Sequence, residues 1–174
     1  EVTGGQTLSA TETATFGDLH KKFAQASFAA HFSEVAVDSA TGEIRVRRML
    51  SVCAAGRIIN PKTARSQCLG GMTMGIGAAL MEEQVIDERF GNFINHDLAE
   101  YQVPVHADIP DLDVVFLDET DDKSSWIKAK GVGELGICGV GAAVANAVYN
   151  ATGVRIRDYP LTLDKLLPQM PAMM

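Results

Sequence analysis

The 174-residue sequence predicts an α+β fold, with short strands in a mixed or antiparallel sheet and two main helices packed on it. Three stretches predict it. Residues 27–52 alternate apolar and polar positions around a link of turn formers. Pro61 to Glu83 opens with helix-start residues and continues as a long, largely apolar run. Ala142 to Val148 is a run of small apolar residues behind a glycine-rich loop.

Composition bounds the function classes. The net charge of −7 and pI near 5 argue against nucleic acid or an anionic membrane as the main partner, since both favour a basic face. No run of 18 apolar residues occurs, so no membrane-spanning helix is expected. The start, Glu1 to Gly5, has no signal-peptide pattern and no initiating Met. Cys53, Cys68 and Cys138 form no C-x-x-C pair, and each lies in an apolar or glycine-rich setting where a buried small hydrophobe is expected. The four His show no metal-ligand spacing and are read as structural or exposed.

Taken in order, residues 1–26 form a polar, Thr-rich linker or arm with room for one short helix, and residues 27–174 form the domain. In the hairpin, the first arm carries Phe32, Val35 and Val37; Ile44, Val46 and Leu50 punctuate the second, and Asp38 to Glu43 link them. Arg45, Arg47 and Arg48 read as a solvated or subunit-facing strand edge. Asn60 suits an N-cap and Pro61 the first helical position. Gly70, Gly71, Gly75 and Gly77 lie inside that helix. Each costs about 1 kcal/mol relative to Ala, tolerable where the helix must pack closely or a ligand needs room. The Met72, Met74 and Met81 cluster reads as core. Residues 84–103 suggest a further strand pair, 104–111 a loop, and Asp113 to Leu117 a buried strand. Asp118 to Asp122 lacks the glycine and ligand spacing of a calcium loop and reads as solvated. Arg155 to Arg157 reads as a short strand or extended segment, and Pro160 to Lys165 opens a last short helix.

Chemistry concentrates in Lys130-Gly131-Val132-Gly133-Glu134-Leu135-Gly136. Glycines let this backbone approach a ligand closely, and the helix behind it offers free N–H groups. Glu134 is either a solvated turn residue or a general base. Gly131, Gly133 and Gly136 match the dinucleotide-binding fingerprint literally, but the residues before them make a poor buried strand.

Several stretches then occur in one order: Gly56…Asn60-Pro61, Gln67 with Gly70-Gly71 and Gly75-x-Gly77, Tyr101-x-Val103-Pro104, Lys130 to Glu134, and Ala143-x-Ala145-Asn146-Ala147-Val148. The series resembles the C-terminal part of the molybdenum-binding (large) subunit of the xanthine oxidase / aldehyde oxidoreductase family, most of all the bacterial periplasmic aldehyde oxidoreductases. It runs from residue 27 to about 167; the series is specific, whereas no single motif is.

The resemblance implies a molybdenum hydroxylase that oxidises a small aldehyde to a carboxylic acid with oxygen from water, Glu134 being the general base. It implies that Arg57, Ile58, Ile59, Asn60, Pro61, Lys62 and Thr63 wrap the cofactor with Gln67 one turn on, and that Lys130, Gly131, Val132 and Gly133 bring backbone against the pterin. Backbone N–H groups at the start of the 61–83 helix, with Arg57 and Lys62, would suit a pyrophosphate. The expected cofactor is molybdopterin cytosine dinucleotide, its metal held by the pterin dithiolene with no protein side-chain ligand. The expected partners are a 2Fe–2S subunit, a FAD subunit and the rest of its own large subunit, in a periplasmic heterotrimer. As a piece of that subunit, the chain would be inactive alone. Departures from the family pattern fall at Ala54-Ala55, Ser66, Met74 and Leu135, and they bear on the choice of substrate. The rival readings are a stand-alone nucleotide-binding module and a catalytically silent structural or assembly piece.

Overall fold

A computed structural model describes residues 5, 7, 9–13 and 17–170; the rest of the expected arm lies outside the described residues. Within the arm, one short helix forms, α1 (Leu19–Lys22).

The hairpin is β1 (Phe28–Val37) against β2 (Ile44–Ala54). Its turn is set by Asp38, whose carboxylate accepts the amides of Ala40 and Thr41, both at 2.8 Å. Gly42 closes it in the left-handed region at φ 73°. A bulge interrupts the pairing: Glu34 faces Arg48, but Val35 faces Val46, leaving Arg47 as the extra residue. The bulge flips the parity of β2, so the buried positions run Val46, then Met49, Ser51 and Cys53. Leu50, expected beside Val46 in the core, therefore points to the other face.

The chain then crosses over through α2 (Pro61–Leu80) to β5 (Leu112–Phe116), which joins β2 in parallel. The sheet is thus mixed, in order β1-β2-β5. Its edge strand β5 corrects the expectation of a fully buried strand. Only Val114 is buried, because α2 covers one face while Asp113 and Val115 look outward. Residues 84–103 form less sheet than expected. Only β3 (Ile86–Asp87) and β4 (Asn92–Phe93) pair, and Tyr101 to Pro104 joins no strand. This finger has no second layer to bury its apolar residues; Phe90 and Leu98 remain exposed.

The two main helices pack together on the sheet. Helix α3 (Val140–Thr152) presents Val140, Val144 and Val148 at a spacing of four, all buried. Helix α2 answers with Cys68, Met72, Ile76 and Ala79. Its glycines make the contact possible. A Cβ on Gly75 would sit 2.5 Å from the Val140 side chain, and one on Gly71 would sit 2.8 Å from the Gly136 backbone. Met74 departs from the expected methionine core: it is 63% exposed on the opposite face of α2. Gly153, left-handed at φ 74°, ends α3. Residues 154–157 run extended without a ladder, burying Val154 and Ile156, and α4 (Leu163–Leu166) closes the core with Leu166.

Candidate functional site

Two loops meet at the open end of the sheet. The first leaves β2 at Ala55 and enters α2; the second is the glycine-rich stretch before α3. They are tied backbone to backbone. The Arg57 amide donates to the Lys128 carbonyl at 2.8 Å, and the Lys130 amide to the Ala55 carbonyl at 3.0 Å. Gly56 sits between them at φ 63°, where a Cβ would come within 2.5 Å of the Lys128 oxygen.

Between the loops lies a cleft of about 520 Å³. Arg57, Ile58, Ile59, Asn60, Thr63, Gln67, Lys130, Val132 and Gly133 line it, which brings nine of the sequence-predicted positions together. Pro61 and Lys62 lie outside its wall on the exposed first turn of α2, and Gly131 faces away, its carbonyl accepting the Ser27 hydroxyl at 2.6 Å.

Next to the cleft is a cavity of about 380 Å³ bordered by Glu134. Gln67 and Gly133 belong to both spaces, and the Gln67 amide donates to the Gly133 carbonyl at 3.0 Å. The two spaces thus share one hydrogen-bonded wall. Ser66, Gly70, Met74, Ile137 and Cys138 complete the second cavity. The positions from α2 follow from the sequence, since 67, 70 and 74 share a helix face. The Cys138 thiol donates to the Glu134 carbonyl at 3.1 Å and is exposed, unlike the buried Cys53 and Cys68, so the expectation that all three are buried fails there. Behind the loop, His31 on β1 packs its imidazole against Gly139, with Nε2 3.2 Å from the Leu135 carbonyl; burial lowers its pKa.

Asn60 caps α2 as expected, and this corrects the expectation that amides at this helix start await an anion. Its side-chain oxygen already accepts the amides of Lys62 (3.1 Å) and Thr63 (3.2 Å), and Pro61 has none. An anion here would meet the side chains of Arg57 and Lys62. Free amides lie across the cleft instead: among the described residues, the N–H groups of Val132 and Gly133, which line it, donate to no protein group. No Cβ contact crowds Gly131 or Gly133. This run fits a ligand rich in acceptors held close to backbone. Among the described residues, no three His, Cys, Asp or Glu side chains converge on a point.

The acidic loop is not simply solvated. Glu119 accepts the Gly56 amide at 2.9 Å and the Lys130 ammonium at 2.8 Å, and Asp121 lies 3.6 Å from the same ammonium. Nothing in the sequence signalled this pairing. The literal Gly-x-Gly-x-x-Gly string follows an isolated bridge at Ala129, not a strand, so it opens no βαβ unit.

Residues 2–110 match the family model of the molybdopterin cofactor-binding domain. The chain belongs to that family. It is 68% identical over 171 residues to the aldehyde oxidoreductase molybdenum-binding subunit PaoC of Escherichia coli K12, covering 98% of this chain and 23% of that protein. It is 40% identical over 140 residues to the xanthine dehydrogenase molybdenum-binding subunit of E. coli O157:H7, covering 80% and 18% of the two chains. Among solved structures, the aldehyde oxidoreductase of Desulfovibrio desulfuricans superposes with a TM-score of 0.74 at 33% identity, over 83% of this chain and 16% of that one. These relatives place the family domain within the xanthine oxidase / aldehyde oxidoreductase group, and the α+β architecture agrees. The chain spans about a quarter of the length of the first of these relatives.

Proposed function

We propose that this chain is the C-terminal part of a molybdenum-binding subunit that oxidises small aldehydes to carboxylic acids, with Glu134 as the general base. One observation carries the reading: the cofactor cleft and the Glu134 cavity share the wall made by Gln67 and Gly133. A ligand lying along the cleft therefore ends beside the carboxylate.

In this reading Arg57, Ile58, Ile59, Asn60, Pro61, Lys62, Thr63 and Gln67 hold one side of a molybdopterin cytosine dinucleotide. Arg57 and Lys62 supply charge to its phosphates. The free amides of Val132 and Gly133 hold the other side, with Lys130 and Gly131 fixing the loop. The cofactor, when bound, would supply the chemistry of a two-electron oxidation with oxygen from water. Glu134, at the border of the cavity, would take up and hold a proton at its carboxylate as the general base. Met74 and Ile137 give the cavity an apolar wall against which a small aldehyde can lie. Residues 27–174 act as the domain and 1–26 as an arm lying on the remainder of the subunit. Iron–sulfur and FAD subunits carry electrons away in a periplasmic heterotrimer.

The test is Glu134→Gln in the full-length subunit within its complex, with aldehyde turnover and molybdenum content read on one sample. Turnover should fall by about 10²-fold or more while molybdenum stays. Turnover that survives with molybdenum bound refutes the base assignment. Loss of molybdenum makes the loop a cofactor-holding element first.

A further inference from the structure

We propose that Glu119 is a positioning residue: through the Gly56 amide and the Lys130 ammonium it sets the spacing of the two loops that line the cleft. The proposal rests on the cofactor reading above. Glu119 is the only described side chain to bond to both loops at once, taking the Gly56 amide at 2.9 Å and Lys130 Nζ at 2.8 Å. The Lys130 side chain is only 7% exposed, so its charge depends on its two carboxylate neighbours. Asp121, the second neighbour, is itself anchored by the amides of Lys123 (2.7 Å) and Ser124 (2.8 Å). The clamp therefore closes against a fixed point.

The electrostatics agree with the geometry. The Lys130 ammonium holds the Glu119 carboxyl below its usual range, with the Gly56 amide adding to the effect, and Glu119 in turn raises Lys130. The three groups stay ionised over the physiological range. Neither carboxylate lines the cleft, so each acts on a bound ligand only through the loops it holds. Without Glu119, Gly56 loses its acceptor and Lys130 keeps a nearly buried charge with one partner 3.6 Å away. The backbone ties at Arg57 and Lys130 would then open more often.

The experiment uses the full-length subunit in its complex, with Glu119→Ala, Glu119→Gln, Lys130→Met and the Glu119→Ala/Lys130→Met double variant. Asp122→Asn serves as control, because Asp122 sits in the same loop on an exposed pair with Lys128. Molybdenum and pterin per subunit are measured, and amide hydrogen exchange at Arg57 and Lys130 is measured on cofactor-free protein. Glu119→Ala should lower molybdenum by about tenfold or more and speed both amides by about tenfold, with the control unchanged. Glu119→Gln, which keeps an acceptor for Gly56, should fall between, and covers the case in which Glu119→Ala does not fold. The double variant should lose no more than Glu119→Ala alone, since it removes the unpaired cation. Unchanged exchange in Glu119→Ala and Glu119→Gln, or equal depletion by Asp122→Asn, overturns the proposal. Wild-type protein without molybdenum would sink the cofactor reading instead, and exchange would still decide the clamp.

Discussion

Two adjacent glycines in α2 should answer the same substitution with opposite signs. Gly70→Ala places a methyl where nothing lies within 4 Å, whereas at Gly71 the new carbon would meet the Gly136 carbonyl carbon at 2.8 Å and the Ile137 amide at 2.9 Å. Both variants gain helix propensity, about 1 kcal/mol each. At Gly71 the contact is roughly 0.6 Å inside ordinary van der Waals range, and backbone is the obstacle, so overpacking of about 1–3 kcal/mol opposes that gain. Gly70→Ala should therefore stabilise by about 1 kcal/mol, and Gly71→Ala should lie about 1–3 kcal/mol below it. For a chain of this size that gap is roughly 3–9 °C in Tm. Urea and thermal unfolding followed by far-UV circular dichroism measure it. Equal stabilisation by both substitutions would refute the close seating of α2 on the loop that carries Glu134. Gly70 also borders the Glu134 cavity, so on the function proposed above its more stable variant should bind aldehydes less well.

Removing the α2 cap with Asn60→Ala should cost about 1 kcal/mol, read as a lower urea midpoint at unchanged slope, because two amides lose their acceptor. Thiol titration of the native protein should find one fast group, Cys138. Cys68 is pushed up to about 12, first by burial and then by the Cys53 thiol 3.9 Å away, so it and its buried neighbour should react only on unfolding. The Asp121 carboxyl is held at about 2 against an ordinary 3.8, chiefly by the Lys123 amide and then by that of Ser124. A depressed folded value means its contribution is complete above pH 3.8 and is lost as pH falls through about 2. Asp121→Asn should flatten acid unfolding in that window, and an unaltered pH profile would contradict the contact.

Where local chemistry decides structure, the sequence was readable. Asn60-Pro61 marked the start of α2, the Asp38 to Glu43 link marked the hairpin, and the interior glycines signalled a close approach that Gly136 and Val140 now account for. Where pairing decides, it was not. The bulge at Arg47 exchanges the faces of β2, and no single residue there announces it. The exposure of β5 depends on its edge position, which only the topology reveals. The nine cleft positions came from the family resemblance and converge in space, whereas Glu119 lies far along the chain from the Gly56 amide it accepts. A solvated acidic loop and a clamp have the same composition.

The backbone ties between Gly56 and Ala129 close a stretch of roughly 70 residues. During synthesis at about 5–20 residues per second, the Gly56 loop leaves the ribosome several seconds before the glycine-rich loop exists. Parallel pairing of β2 with β5 faces the same delay, since β5 follows the whole of α2 and the finger. A nascent chain therefore offers a pterin only half a cleft, and an apolar hairpin face waits uncovered meanwhile. On the function proposed above, cofactor loading waits until residues 128–136 have been made and tied to the Gly56 loop.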